Sequence, residues 1–479
     1  MSASLECCEL QHQAIRVVDR HVADVDLEES EERAVMEKKL VRKLDRRMCI
    51  LVFIYILNYI VRNNVSVSRL RGIEEDLKLT GKDFDSILSI FYVGYILMQV
   101  PSNLFLNRFG RPSIYLPVCM MFWGIISIIM GFTTNFIGAF LTQLFLGFAQ
   151  AAFFPGALFL LSKWYKRDEL GLRTALFAGC TFSNSFGSLI AFGILDHMGG
   201  KLGHASWRWL FYITGSLTIF CATVAHFILP DFPATSKWLS PSERRLAKIR
   251  LEEDAGVIDI DEEESSSLAQ VLFDVLRDWK VWWLSLTLTS MAASLSFSIF
   301  FPTLVMEMGF SGTFALLLCA PPWAFATMCS FLVARHSDAV GERFFHVVCP
   351  LIAGNVGFLV ALSTTNKPAR YVSLFLMAQS YSGFFTFYAW QSDSISRSSS
   401  RRAASLALIN AFSQLGNIVG SYIWPVAWAP SYRNSYIVCV TCSVISIILC
   451  LVFRCYLIEE NRKTELKDSP GRKGFRYML

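Results

Sequence analysis

The chain has 479 residues, of which 53% are hydrophobic and only 17% charged, and its formal net charge is +5. This composition excludes a disordered chain and an ordinary water-soluble domain. The positive side chains sit in connecting segments, which points away from nucleic acid as a partner.

The first 47 residues are hydrophilic, with an acidic stretch from Asp24 to Glu32 followed by Lys38, Lys39, Arg42, Lys43, Arg46 and Arg47. Apolar runs then follow at 48–68, 86–106, 113–132, 136–162, 174–195 and 209–229. A hydrophilic stretch covers 230–280, and six further runs lie at 281–305, 313–334, 344–363, 371–392, 403–424 and 435–453. A bilayer-crossing helix needs roughly 20 apolar residues. In hydrocarbon every backbone N–H and C=O must be satisfied within the segment, so each run is expected to be a helix. The expected fold class is therefore an all-α membrane protein of twelve transmembrane helices in two six-helix bundles. Its expected divisions are a cytoplasmic tail 1–47, a first bundle 48–229, a linker 230–280, a second bundle 281–453 and a tail 454–479. Within the runs only Arg62 carries a formal charge. Such a bundle with mostly short connections suggests movement of a solute across the membrane.

Short loops assigned inside and outside carry similar numbers of Lys and Arg. The Lys38–Arg47 cluster and Arg244, Arg245, Lys248 and Arg250 of the central stretch decide the orientation. Both termini are expected in the cytoplasm by the positive-inside rule. No cleavable signal is visible. The 13 cysteines lie mostly in or beside the runs and do not read as a disulfide framework. Cys439 and Cys442 match a CxxC spacing but lie on an apolar helix, where two small packing residues are the simpler reading.

Two hexads lie 231 positions apart, Asn107 to Pro112 and Asp338 to Arg343. Each joins the second and third helices of its six-span half, and each mixes charges with a Gly that permits a tight turn. In the central stretch, Ser240, Pro241 and Glu243 have the spacing of an N-cap, a first-turn proline and a capping-box acid. Residues 258–267 are acidic and serine-rich, and the stretch reads as a tether between halves.

Several strings resemble the major facilitator superfamily, in particular its fungal anion:cation symporter branch, which includes allantoate and nicotinate permeases. The first half carries Leu88 to Tyr95 (LSIFYVGY), Pro101 to Asn103, Phe153 to Gly156, Trp164 to Arg167, Trp207 to Phe211 and Leu229 to Pro233. The second carries Phe301-Pro302, Ala320 to Pro322, Ser337-Asp338, Gly341 to Arg343 and Ala429-Pro430. The resemblance spans about residues 44 to 455. It implies two bundles around a central cavity that work by alternating access. It also implies that Arg108, Gly110 and Arg111 occupy the cytoplasmic gate motif, with Asn107 where an Asp is usual. Asp338, Gly341, Glu342 and Arg343 resemble its second-half counterpart.

The chain departs from that pattern at three places. The family usually has Asp-Arg-x-Asn at the end of the first helix, and here Val61 precedes Arg62, Asn63 and Asn64. The fourth helix usually has an Arg and, seven residues on, a Glu, and here these are Gln143 and Gln150. Proton coupling needs a group that changes charge inside the membrane, so proton coupling does not carry over with the resemblance.

Helical spacing groups the remaining polar residues by face. Asn58 and Arg62 share one face, Gln143 and Gln150 a second, and Asn410, Gln414 and Asn417 a third. Gln379, Ser382 and Thr386 form a similar stripe on the tenth helix. Arg62, Asn63, Gln143, Gln150, Asn410 and Gln414 are the candidate substrate-binding residues. A guanidinium at Arg62 can hold a carboxylate through two parallel hydrogen bonds, and its alternative is a cation snorkelling to the interface. For the amides the alternative is helix–helix hydrogen bonding. Phe297, Trp323 and Trp390 can line a cavity or simply pack, and His226, His346 and Glu307 are peripheral candidates for a proton carrier.

The leading expectation is a monomeric secondary carrier for a small organic anion, with the lipid bilayer as its surroundings and protons an open question. The plasma membrane is its expected location, with a vacuolar or other internal membrane as the alternative. An exporter of a small metabolite and a non-transporting nutrient sensor are the alternatives. No HExxH, GxSxG, P-loop or metal-ligand spacing occurs, so no enzyme activity, cofactor or metal is expected.

Overall fold

The computed structural model describes residues 2–166, 180–232, 236, 238–251, 268–310, 312–395 and 399–467. The first half contains α1 (Ser2–Ser68), α2 (Asp83–Phe109), α3 (Pro112–Gly131), α4 (Phe136–Gln150 and Phe153–Ser162), α5 (Cys180–His197) and α6 (Ser206–Ile228). The second contains α7 (Trp279–Ser294 and Phe297–Met306), α8 (Gly312–Val340), α9 (Phe344–Ser363), α10 (Lys367–Ala378 and Tyr381–Ser394), α11 (Ser399–Ser421) and α12 (Arg433–Lys467). The break in α4 has a direct cause. Pro155 has no N–H to give the carbonyl of Ala151, and its ring crowds that turn.

Among the described residues, eight of these membrane segments are long and apolar enough to cross a bilayer by length and composition. α2, α5, α10 and α11 complete the twelve membrane segments. Each buries polar side chains, such as Gln99 and Ser102 on α2, Ser183 and Ser188 on α5, Gln379 and Gln391 on α10, and Asn410 and Ser413 on α11. Unsatisfied polar groups facing lipid cost several kcal/mol, and these faces are turned into protein.

The two halves pack alike. The pairings α3–α6, α2–α4 and α1–α6 of the first half recur as α9–α12, α8–α10 and α7–α12 in the second. The halves meet where α2 packs on α11 and α5 on α8, two equivalent pairs with the halves exchanged. Glycines allow the closest crossing. A Cβ on Gly94 would meet the Leu144 carbonyl, and one on Gly147 the Phe91 carbonyl, so α2 and α4 touch backbone to backbone. That contact brings Phe91 and Tyr95 of α2 to the side of Arg62 that meets Gln150, just before the break in α4.

One end of the bundle bears the basic cluster Lys38–Arg47. There the first part of the central stretch is folded onto the first half. The Trp238 ring lies under the Arg47 guanidinium at 4.4 Å and 5.8 Å from the Trp164 ring. Lys43 Nζ lies 3.0 Å from the Glu243 carboxylate. The expected capping box is present, with Glu243 N–H donating to Ser240 Oγ at 3.2 Å and Ser240 N–H to Glu243 Oε2 at 2.9 Å. The residues around 238–251 are thus a strap on one half; the acidic part, 258–267, lies outside the described residues. The described cysteines, Cys439 and Cys442 included, are free.

Candidate functional site

Arg62 lies on α1 between two elements of its own half. Its guanidinium carbon is 4.8 Å from the ring centres of Tyr59 and Phe91 and 5.2 Å from that of Tyr95. Its Nε lies 3.4 Å from Oε1 of Gln150 on α4, and Gln150 Nε2 donates to the Asn58 carbonyl at 3.3 Å. Among the described residues no carboxylate lies within 4.0 Å of the guanidinium. Ring faces attract a cation by about 0.5–2 kcal/mol each, but leave its N–H edges free for an anion. Two amides of the same half are under-satisfied. Asn58 Nδ2 and Gln143 Nε2 are buried without a hydrogen-bond acceptor.

Asn63 departs from this group although it adjoins Arg62 in sequence. One residue is 100° of helix turn, so Asn63 faces α5, where its Nδ2 donates to Asn184 Oδ1 at 2.7 Å. Both line a small cavity between the halves, bounded also by Ser183, Ser188, Ser298 and Trp323. Ser298 accepts from the Tyr381 hydroxyl at 2.8 Å, which ties the cavity wall on α7 to α10. On the opposite half, Asn410 Oδ1 accepts from Tyr388 OH at 3.1 Å, and Asn417 Nδ2 donates to Gln414 Oε1 at 3.0 Å. Of the sequence candidates, Arg62 and Gln150 are brought together. Asn63 joins a separate polar group, and Asn410 and Gln414 form a third on α11. Asn184 and Ser298 escaped the sequence reading because single Asn and Ser residues in an apolar run carry no spacing signal.

At the turns after α2 and α8 the two hexads each place a glycine in the left-handed region. Gly110 (φ 67°) ends α2 and Gly341 (φ 69°) ends α8, each in the left-handed region that glycine enters at little cost. Arg111 is the cap residue before α3; the side chains of Asn107 and Arg108 lie outside the described residues. Arg343 is buried, with Nη1 2.5 Å from Asp338 and 3.1 Å from Ser337 Oγ, and Nε 3.2 Å from Asp393 on α10. Glu342 caps α9 instead, accepting from Phe345 N–H at 2.8 Å, and its other oxygen meets His346 Nδ1 at 2.8 Å. Asp393 was missed because it falls one residue beyond its apolar run.

At the other end the halves are in contact. Tyr422 OH on the loop after α11 lies 3.3 Å from Ser86 and 3.1 Å from Ser89 of α2. Arg71, after α1, donates to Thr313 of α8 at 3.2 Å, and Thr313 to Asp196 of α5 at 3.0 Å. Deeper in, Ser185 donates to the Ala320 carbonyl and Thr327 to Thr181, each at 3.0 Å. The rim at this end is shut from the loops down to the middle of α8.

A family model described as Major Facilitator Superfamily matches residues 51–421. The MFS-type transporter cnsO of Penicillium expansum is 30% identical over 444 residues, covering 89% of this chain and 84% of that protein. A protein of Agrobacterium vitis named "Putative tartrate transporter" is 32% identical over 405 residues, covering 84% and 90%. Among solved structures, a bacterial homologue of the human lysosomal transporter Spinster, inward-facing and occupied, superposes with a TM-score of 0.63. It covers 85% of this chain and 95% of that one at 17% identity, a likeness of fold alone. With the family model spanning most of its length, the chain belongs to the Major Facilitator Superfamily and is a multi-pass membrane transporter, not an enzyme.

Proposed function

We propose that the chain carries a small organic anion by alternating access, with Arg62 as the anion-holding group. The observation that carries this reading is the guanidinium set among three aromatic rings, touching the neutral amide of Gln150, with no carboxylate among the described residues to neutralise it. A charge kept inside a membrane bundle without a built-in counter-ion marks a ligand path. The under-satisfied amides of Asn58 and Gln143 suit a substrate with further acceptor oxygens. Asn63, Asn410 and Gln414 complete the polar lining of the path between the halves.

The substrate class agrees with the Agrobacterium relative, whose name puts tartrate as its cargo, and with the anion:cation symporter branch. Arg108, Gly110, Arg111, Asp338, Gly341, Glu342 and Arg343 form the cytoplasmic gates. The bundles are 48–229 and 281–453, with 1–47, 230–280 and 454–479 in the cytoplasm, and the protein acts as a monomer in the plasma membrane. With Gln143 and Gln150 uncharged, transport in the centre is uncoupled from protons.

The test is flux in proteoliposomes of purified full-length protein, with labelled tartrate and a panel of mono- and dicarboxylates, with and without a pH gradient. Saturable flux of a carboxylate, lost in Arg62→Ala and insensitive to the gradient, is the expected result. Saturable flux of neutral or cationic solutes alone overturns the anion site.

A further inference from the structure

The shut outer rim encloses a carboxylate that the central site does not use. Asp85 stands in the first turn of α2, one residue before the apolar run, yet it is only 6% exposed. Among the described residues its carboxylate accepts no hydrogen bond. The side chain of Arg69, just past the end of α1, is 9% exposed. Its Nη2 pairs with Glu74 at 3.1 Å, its guanidinium lies over Phe84 at 4.6 Å and over Phe300 of α7 at 5.9 Å, and its Nη1 has no partner. Arg69 therefore reaches from one half to the other. The charged and titratable groups bearing on Asp85 are Arg69, Glu74 and Lys82 from its own half. From the other half comes Tyr432 at the start of α12, which itself feels Arg69, Glu74, Asp85 and Glu307.

We propose that Asp85 is a binding site for an external proton, and that protonation there favours the state in which the outer rim is shut. Opening the rim parts Arg69 from Phe300 and hydrates Asp85. Closing it strips water from a carboxylate whose main cationic neighbour, Arg69, is already paired with Glu74. Burial raises the acid's pKa to about 6, with Arg69 opposing and Glu74 assisting. A hydrated aspartate titrates near 3.9. The closed state thus binds the proton more tightly, so falling pH favours closure and the bias is lost as pH rises through about 6. The proton enters and leaves from the outer side and crosses with no substrate. This is a bias on the gate, which fits a centre without a titratable pair. It rests on the alternating-access reading but is independent of what Arg62 holds.

The experiment uses full-length protein in nanodiscs, spin-labelled through noncanonical residues placed at the exposed outer-loop positions Leu202 and Val426. The distance distribution between them is recorded from pH 7.5 to pH 5 with no substrate. The ratio of closed to open rim is expected to rise about tenfold over that range. Asp85→Asn, permanently neutral, should be insensitive to pH and closed-biased, while Asp85→Glu should still titrate. A flat wild-type profile, or a wild-type shift persisting in Asp85→Asn, overturns the proposal. Because the readout needs no substrate, Arg62-dependent carboxylate flux with a flat distance profile sinks this proposal alone. A pH-dependent rim with no carboxylate flux sinks the anion reading alone.

Discussion

Arg62 Nε and Gln150 Oε1 face each other across the α1–α4 contact at 3.4 Å. The acceptor is an amide oxygen, so it orients the guanidinium without cancelling its charge. With a glutamate in its place the cation would be paired before any substrate arrived.

Loss of the guanidinium should remove the anion's main anchor. A charge-assisted hydrogen-bonded contact is worth about 1.5–3 kcal/mol, so Arg62→Ala should cut carboxylate flux by roughly 10–100-fold. Arg62→Lys should recover only part of this, since an ammonium cannot make the paired bonds of a planar fork. Proteoliposome flux at matched protein incorporation is the measurement, and wild-type flux in Arg62→Ala removes the site.

Gln150→Glu is the sharper probe. The new carboxylate would sit beside Arg62 and compete with the substrate anion. The expected outcome is a raised KM for carboxylates at neutral pH, about tenfold or more, with protein yield unchanged. Gln150→Leu removes the same hydrogen bond without adding charge and should raise KM far less. Equal effects from the two variants would mean that packing, not charge, matters at this position.

These residues also show how far sequence reading reaches. The twelve segments and the Ser240–Glu243 cap were legible because hydropathy and capping are local. The nearness of Arg62 to Gln150 was not, because facing residues on different helices leave no spacing in the chain. Asn63 follows Arg62 in the chain yet meets a different helix, because a helix turns consecutive residues onto different faces. The Trp238 strap was read as tether because its hold is a set of ring contacts to Arg47, Lys43 and Trp164, far apart in sequence. The burial of Asp85, in the first turn of α2, leaves no local signal in the chain.

The ion-pair cluster at the α8–α9 turn should depend on Arg343 more than on Asp338. Its guanidinium is buried and bridges α8 to α10, whereas Asp338 is largely exposed. Asp338→Asn leaves Asp393 in place and should cost at most about 1 kcal/mol, as exposed pairs do. Arg343→Gln leaves Asp393 without its cation and should cost more, about 2 kcal/mol or above. Thermal unfolding in detergent ranks the three. A larger loss from Asp338→Asn than from Arg343→Gln would reverse the assignment.

The α2–α4 crossing gives a prediction that concerns architecture alone. A methyl on Gly147 meets the Phe91 carbonyl, a backbone atom that cannot rotate away. Gly147→Ala must therefore push α2 outward and carry Phe91 and Tyr95 away from Arg62. Overpacking of this kind costs about 1–3 kcal/mol, to be read as a lowered melting temperature. Gly193→Ala on α5 is the control, because nothing lies within 4 Å of its added methyl, and there the better helix propensity of alanine should be neutral or stabilising. If Gly147→Ala melts with wild type while carboxylate flux falls, the crossing positions the aromatic rings without limiting stability. If neither changes, α2 and α4 do not meet through bare backbone.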